Sequence, residues 1–237
     1  MKTAYFHFLA DLSNFLPPQL RGRQDIQVNF RGSQSLKHLI ESLGIPHTEV
    51  GEIRSPNGEL DLGYIVQHGD FVTITPANNP VKEARFLLDN HLGKLTTYLR
   101  ILGFDSYYQN NLQDEDLIER LKVDSRILLT RDRRLLMRKI VLQGYCVRSL
   151  DPEIQVCEVL QRFQLREYIT PFHRCLRCNS LLQPVEKEPL LPRLQPLTRQ
   201  YFDEFRLCPI CNQIYWKGSH YDHMVELIMR ITERLNE

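Results

Sequence analysis

Two short apolar runs, each followed by an aspartate, constrain the fold of this chain more than any other feature. Residues 86–88 lead into Asp89, and residues 127–130 lead through Arg131 into Asp132. A short continuous apolar run is typical of a strand that is buried on both faces, as in a parallel sheet. Ligands of open α/β sheets bind beyond the carboxyl ends of such strands, so we expect both carboxylates on one rim.

The segment around these runs alternates between strand and helix patterns. A helix with a leucine stripe follows the first run, and a strand over residues 104–108 comes after Gly103. A helix from about Asp114, the second apolar run, a helix extending to residue 141 and a strand over residues 145–148 continue the series. This alternation with short loops predicts a doubly wound parallel sheet with right-handed crossovers.

The first 76 residues follow a different order: strand, strand, helix, strand, strand. The helix is predicted to begin after Ser33 or Ser35 and to end at Gly44, and turn residues separate the later strands. This order describes a β-grasp, and residues 76–80 form a turn-rich linker behind it. A sulfur-carrier function is disfavoured, because such carriers end on a free Gly-Gly whereas this chain continues.

Four of the six cysteines form two C-x-x-C pairs that are separated by 29 residues. This spacing is typical of a structural Zn²⁺ site, in which four thiolates fill every coordination position. His220 and His223 are the alternative ligands. The four predicted zinc ligands are Cys175, Cys178, Cys208 and Cys211.

The chain ends in an amphipathic helix whose apolar side carries Leu227, Ile228 and Ile231. We expect this side to pack against the parallel sheet.

Charge is nearly balanced over the whole chain, with a formal net charge of +1. Residues 81–150 carry 13 basic and 9 acidic side chains, so the excess of +4 lies on the segment that holds the paired aspartates. No apolar run approaches the roughly 18 residues of a membrane helix, and no secretory leader is evident. With cysteines arranged for metal binding, we expect a cytoplasmic protein and no membrane association.

Asp89, Asp114 and Asp132 each fall where a predicted strand gives way to a helix. Three carboxylates on one edge would suit Mg²⁺ or Mn²⁺, whereas the alternative for each acid alone is a helix N-cap. Basic side chains near this edge could hold phosphates, although a solvated helix face is the alternative for each of them. These candidates are Lys94, Arg100, Arg131, Arg133 and Arg134.

Several motifs resemble the PIN-like ribonuclease family that is named after the C-terminal domain of the Mut-seven exonuclease. The matching motifs cover residues 86–89, 91–95, 98–105, 114–117 and 127–133. Members of that family carry a zinc ribbon after the nuclease core, to which residues 174–179, 208–211 and 215–220 are similar. Many bacterial members begin with a ubiquitin-like β-grasp domain, which residues 1–76 resemble.

The resemblance implies a metal-dependent endoribonuclease that hydrolyses RNA phosphodiester bonds, with RNA as its partner. Asp89, Asp114 and Asp132 would be the acidic ligands of Mg²⁺ or Mn²⁺, and Asp116 could replace Asp114. Asp151 is the best candidate for a fourth acid, which has no firm counterpart here.

The expected domains are a β-grasp with its linker (1–80), a PIN-like core (81–165) and a zinc ribbon with the final helix (166–237). The β-grasp is expected to contact a protein partner. The alternatives are a catalytically inactive RNA-binding or adaptor protein and a toxin-like nuclease held by a partner.

Overall fold

The computed structural model describes residues 1–236, which form two compact units. Unit 1 combines Met1–Pro80 with Gln113–Val147, and unit 2 combines Val81–Leu112 with the chain from Arg148 onward. Each unit is therefore built from two separate stretches of chain. The bounds of the three predicted domains stay a prediction.

The strands are β1 (Lys2–Phe8), β2 (Ile26–Phe30), β3 (Val50–Ser55), β4 (Gly58–Leu60), β5 (Phe71–Pro76), β6 (Arg85–Leu88), β7 (Asp105–Tyr107), β8 (Ile127–Thr130), β9 (Gly144–Cys146), β10 (Gln183–Val185), β11 (Phe205–Leu207) and β12 (Ile214–Trp216). The α-helices are α1 (Leu36–Ser42), α2 (Gly93–Ile101), α3 (Asp114–Val123), α4 (Arg133–Leu136), α5 (Pro152–Arg162), α6 (Pro196–Tyr201) and α7 (Ser219–Arg234). Short 3₁₀ turns connect several of these elements. No helix in residues 1–236 is both long and apolar enough to cross a membrane.

The N-terminal part of unit 1 is a mixed sheet in the order β2-β1-β5-β3-β4. β1 runs antiparallel to β2 and parallel to β5, and α1 follows the first hairpin. Alternate residues of β2 are buried, which is the period of a strand with one face on a core. The Ser35 side chain caps α1 by accepting a hydrogen bond from the His38 amide. This arrangement confirms the predicted β-grasp.

The second part of unit 1 holds the parallel pair β8 and β9. All four residues of β8 are buried, as its apolar run predicted. The helix between the two strands is shorter than predicted, because α4 ends at Leu136 and a turn leads to β9. A Cβ atom on Gly144 would lie 2.6 Å from Leu136 Cδ2, so the glycine allows the end of α4 to approach the strand.

Unit 2 begins with a second parallel pair, β6 and β7, which α2 connects. The α2 helix packs against α5. It stops before Gly103, whose φ of +97° lies in the left-handed region and whose missing Cβ leaves space for the Thr170 carbonyl oxygen. The parallel pairs in the two units agree with the predicted α/β class.

The ribbon part of unit 2 is the antiparallel sheet β10-β11-β12. Its small core consists of Leu190, Leu194, Phe205 and Ile214. The α7 helix buries Leu227 and Ile231 and packs against α5, while the packing on the parallel sheet that we expected from its apolar side stays a prediction. Packing on α5 is sufficient to bury this narrow stripe, since a helix surface offers the matching groove.

Candidate functional site

The four predicted cysteines meet in unit 2. Their sulfur atoms all lie within 4.8 Å of one another. The Sγ atoms of Cys178 and Cys208 are 3.3 Å apart, and those of Cys175 and Cys211 are 3.5 Å apart. Tetrahedral Zn²⁺ with Zn–S bonds of about 2.3 Å needs sulfur separations of about 3.8 Å. The cluster therefore could hold a zinc ion after a small expansion.

Hydrogen bonds favour the thiolate form of Cys208. Burial raises the pKa of this thiol, but bonds from the Cys211 and Ile210 amides and from Ser180 outweigh burial and lower the pKa to about 6. The Cys211 amide nitrogen is 3.3 Å from the sulfur, and Ser180 Oγ is 3.0 Å from it. Because thiolates are the metal-binding form of cysteine, these donors favour cation binding at Cys208, whereas burial and the neighbouring thiols raise the pKa of Cys211 to about 12.

Tyr215 supports the first C-x-x-C knuckle. Its hydroxyl lies 3.2 Å from Cys175 Sγ and accepts a hydrogen bond of 3.0 Å from the Leu176 amide. Trp216 remains 39% exposed. His220 lies in the first turn of α7, and the four-cysteine group contains neither His220 nor His223.

Arg100 fastens the first knuckle to the start of β7. The residue is 5% exposed, and its guanidinium donates to the carbonyl oxygens of Ser106 (2.8 and 3.1 Å), Leu176 (2.8 Å) and Arg177 (3.2 Å). These bonds use four of the five N–H donors of the guanidinium on backbone carbonyl oxygens, which gives Arg100 a structural role. Its predicted contact with RNA stays a prediction.

A second set of bonds joins the same two elements. Arg174 donates to the carbonyl oxygens of Gly103 and Asn179, both at 3.0 Å. The Asn179 side chain donates to Asp105 at 2.9 Å and accepts from the Ser106 amide at 3.0 Å. The cysteine cluster is thus an integral part of unit 2, not an appendage on a flexible linker.

Asp89 is a buried acid that follows β6 directly, with 7% of its surface exposed. Its Oδ1 accepts a 2.9 Å hydrogen bond from the His91 amide. The next residue, Asn90, accepts from the Tyr108 hydroxyl at 3.0 Å and donates to the Leu112 carbonyl oxygen at 3.2 Å. The backbone around Asp89 is therefore fixed from two sides.

The other candidate acids are exposed and lie at helix starts. Asp132 is the N-cap of α4 and accepts from the Arg134 amide at 2.7 Å. Asp116 closes a capping box at the start of α3, where Asp114 is the first helical residue. Asp151 caps α5. The capping alternative thus describes three of these acids, and in each of them the cap occupies one carboxylate oxygen, which is Oδ1 of Asp132 and of Asp151 and Oδ2 of Asp116.

The candidate acids belong to different units. Asp89 and Asp151 are part of unit 2, and Asp114, Asp116 and Asp132 are part of unit 1. The assignment of these five acids to one catalytic site stays a prediction.

The candidate RNA-binding cations other than Arg100 differ in their contacts. Lys94, Arg131 and Arg134 are exposed. Arg133 is half-buried, donates to the Phe15 carbonyl oxygen at 2.8 Å and lies 4.7 Å from the centre of the Phe15 ring. Its guanidinium therefore joins the β-grasp to α4.

Sequence reasoning missed two further contacts within unit 1. His47 places Nε2 2.9 Å from the Val141 carbonyl oxygen, and the buried carboxylate of Glu49 accepts from the Cys146 amide at 2.7 Å. Glu49 stands directly before β3, and a single glutamate at such a position does not by itself indicate a partner almost a hundred residues away.

The molecule thus combines a β-grasp, paired parallel strands of an α/β fold and a ribbon with a four-cysteine cluster. Residues 84–228 match the family model of the Mut7-C RNAse domain, and residues 1–82 match that of Mut7-C ubiquitin. Because the first match covers more than half of the chain, the protein belongs to the Mut7-C RNAse domain family. The resemblance seen in the sequence motifs is confirmed.

Two solved structures are similar to the N-terminal part. The crystal structure of the H. volcanii small archaeal modifier protein 1 is 14% identical, with a TM-score of 0.25, over 32% of this chain and 98% of that chain. A crystal structure of SAMP1 from Haloferax volcanii is 15% identical, with a TM-score of 0.24, over 35% of this chain and 99% of that chain. The comparison with curated proteins gave no match.

Proposed function

We propose that the protein is a metal-dependent endoribonuclease that hydrolyses RNA phosphodiester bonds. The observation that carries the proposal is the match of residues 84–228 to an RNAse domain family. The buried Asp89, held at the end of an apolar strand by bonds on both sides, supports it, because a desolvated carboxylate at such a position is a suitable ligand for a hard cation.

In this proposal Asp89, Asp114 and Asp132 bind Mg²⁺ or Mn²⁺, with Asp116 and Asp151 as the further candidate acids. The cap on α4 uses Oδ1 of Asp132, so Oδ2 is the oxygen that would face the cation. When bound, such a cation lowers the pKa of a coordinated water and polarises the phosphoryl oxygen. The side chains of Lys94, Arg131 and Arg134 would hold RNA phosphates nearby.

We propose a separate, structural zinc ion in the cysteine cluster. Four sulfurs fill the tetrahedral positions and leave none for a reacting water. Cys146 and Cys157 are buried free thiols, and the four clustered cysteines form no disulfide either. Free thiols are typical of a reducing compartment, which supports a cytoplasmic location. The β-grasp is the proposed site for a protein partner.

The second candidate is an RNA-binding or adaptor protein without turnover. Asp151 favours it, because its Oδ1 accepts two amide bonds at the start of α5 and so is explained as a cap. That leaves the fourth acid without a clear counterpart.

Substitution of the aspartates distinguishes the two candidates. We expect Asp89→Asn and Asp132→Asn each to abolish RNA cleavage that depends on added Mg²⁺ or Mn²⁺, because asparagine keeps the size and capping ability but removes the ligand charge. Cleavage of labelled RNA is followed on denaturing gels with zinc-loaded protein. Asp222→Asn, an exposed acid in the first turn of α7, serves as the matched control.

The outcomes are separable when folding is checked by circular dichroism. Full cleavage by folded Asp89→Asn or Asp132→Asn would remove that residue from the site. Wild-type protein that binds RNA but never cleaves it, with any divalent cation tested, would favour the adaptor alternative.

A further inference from the structure

Unit 2 contains a polar cleft between α2, the loop over residues 108–111 and the first cysteine knuckle. Its volume is about 580 Å³, within the roughly 300–1,000 Å³ typical of ligand sites. It is lined by Gly93, Thr96 and Thr97 of α2 and by Leu176 and Arg177 of the knuckle. The ribbon therefore contributes one side of this cleft.

The cleft adjoins the loop that carries Asp89. Tyr108 lines the cleft, and its hydroxyl donates to the carbonyl oxygen of Asn90, the neighbour of Asp89 in the chain. A Cβ atom on Gly93 would lie 2.7 Å from that hydroxyl, so the glycine allows α2 and the loop to approach closely. A ligand in the cleft would therefore lie near the backbone of the proposed catalytic acid.

The charge of the cleft suits an anion. Among the described residues that line it, two are arginines and none is acidic, while threonine, tyrosine and amide side chains supply neutral polar groups. The guanidinium of Arg100 is committed to carbonyl oxygens, which leaves Arg177 as the exposed cation of the cleft. Arginine matches phosphate oxygens with paired N–H donors.

The backbone of Arg177 is fixed. The residue lies between the cluster members Cys175 and Cys178, and its carbonyl oxygen accepts from Arg100 at 3.2 Å. A cation on a fixed backbone loses less freedom on binding than one on a mobile loop, which favours affinity. The knuckle thus presents Arg177 to the cleft in a defined position.

A larger cavity in the ribbon, about 690 Å³, is less suitable for phosphate. Its three cations are balanced by the three acids Glu186, Asp203 and Glu204. Acidic side chains repel the RNA backbone, so volume alone does not select the binding site.

We infer that the cleft beside the knuckle binds the phosphodiester backbone of single-stranded RNA, with Arg177 as its phosphate contact. The side-chain amides of Gln109 and Asn110 also line the cleft and supply further donors. The inference rests on the proposed ribonuclease function and assigns part of substrate binding to the ribbon.

The test measures binding separately from cleavage. Full-length zinc-loaded wild type, Arg177→Ala, Arg177→Lys and Arg166→Ala are titrated into a labelled single-stranded oligoribonucleotide, and fluorescence anisotropy is recorded over a salt series. No Mg²⁺ or Mn²⁺ is added, and gels verify that the RNA stays intact. Arg166 is an exposed arginine outside the cleft and is the matched control.

We expect Arg177→Ala to lower the slope of log affinity against log salt by about 0.7, the value for one phosphate of a single strand. At roughly 0.1 M salt this corresponds to about fivefold weaker binding. Arg177→Lys keeps the slope, since it retains the charge, and Arg166→Ala binds like the wild type.

Wild-type affinity and slope in folded Arg177→Ala would overturn the inference, as would an equal loss in Arg166→Ala or an absence of RNA binding by the wild type. The cleavage assay decides the proposed function independently. Weakened binding by Arg177→Ala in a protein that never cleaves RNA would support the cleft and overturn the endoribonuclease.

Discussion

Arg100 combines a positive charge with nearly complete burial. Burial lowers the pKa of its guanidinium, and the nearby Cys175 and Cys178 oppose that shift. Four hydrogen bonds to three carbonyl oxygens compensate for the lost hydration. Arg100 therefore connects the first cysteine knuckle to β7.

We expect Arg100→Gln to lower the free energy of unfolding by about 3 kcal/mol or more, because it leaves buried carbonyl oxygens without donors. Urea unfolding followed by circular dichroism measures the change, and elemental analysis measures retained zinc. Arg166→Gln, at an exposed site, should change stability by less than about 0.5 kcal/mol. Equal stability of the two variants would show that the Arg100 bonds do not hold the knuckle.

The cysteine cluster should contain one zinc ion per chain. We expect Cys208→Ser to lose the zinc and to destabilise the ribbon, because serine cannot supply a thiolate. Cys157→Ser keeps the zinc, since Cys157 is buried in α5 outside the cluster. Elemental analysis after purification without chelators provides the measurement, and zinc-free wild-type protein would refute the assignment.

The sequence predicts the cysteine cluster, through its spacing, better than it predicts the roles of the arginines, through their charge. The four cysteines were identified from spacing alone, because two C-x-x-C pairs suffice to define a tetrahedral site. The burial of Arg100 was not predicted, because a charge pattern along a helix does not reveal which cation is buried. Nothing in the sequence near Arg177 distinguishes it from other surface arginines except its place between two cysteines.

Helix α7 is joined to α5 by an ion pair as well as by apolar packing. Arg230 donates to both carboxylate oxygens of Glu153, at 2.8 and 3.2 Å. These hydrogen bonds lower the pKa of Glu153. The ion pair thus joins α7 to α5.

We expect Arg230→Gln to lower stability near neutral pH only slightly, because solvent screens an exposed ion pair. Because Arg230 lowers the pKa of Glu153 in the folded protein, this contribution is complete above the ordinary carboxyl pKa of about 4.3. The contribution is lost as the pH falls through the lower pKa that Glu153 has in the folded protein, because below that pH the carboxyl group is protonated in both the folded and the unfolded protein.

Urea unfolding of wild type and Arg230→Gln across the acidic range is the measurement. Glu153→Gln should resemble Arg230→Gln at neutral pH. A stability difference that stays constant down to the acid transition would contradict a role of the Glu153 carboxylate.

At the level of secondary-structure elements, local sequence signals predict the strands and the helix starts better than the helix ends. Ser35 and Gly44 bound α1 as predicted, since a side-chain cap and a glycine with φ of +93° act within a few residues. The early end of α4 and the packing of α7 on α5 depend on distant contacts, which local patterns do not encode.

At the scale of the whole molecule, the β-grasp is bound to the second stretch of unit 1. Arg133 reaches Phe15, His47 reaches Val141 and Glu49 reaches Cys146, over sequence separations of 118, 94 and 97 residues. The sequence pattern predicts residues 1–80 as a separate module. Within unit 1 these contacts join that module to the second stretch, because they satisfy backbone groups on both sides.

We therefore expect deletion of residues 1–80 to destabilise residues 113–147, since it leaves the buried Cys146 amide without the Glu49 carboxylate. Hydrogen exchange of β8 and β9 in the full chain and in the truncated chain is the measurement. As a milder variant, Glu49→Ala should raise exchange at Cys146 while the β-grasp stays folded. Unchanged protection of β9 in both proteins would restore the modular interpretation.

The interleaved composition of the two units also affects how the chain matures during synthesis. The ribosome releases the β-grasp first, but unit 1 lacks β8 and β9 until residue 147 has emerged. Residues 81–112 appear before that point and must wait for the stretch that begins at Arg148. Because domains generally fold from the N-terminus as they are made, the nascent chain holds two unfinished cores at once, and the cysteines that complete the second are among the last residues to appear.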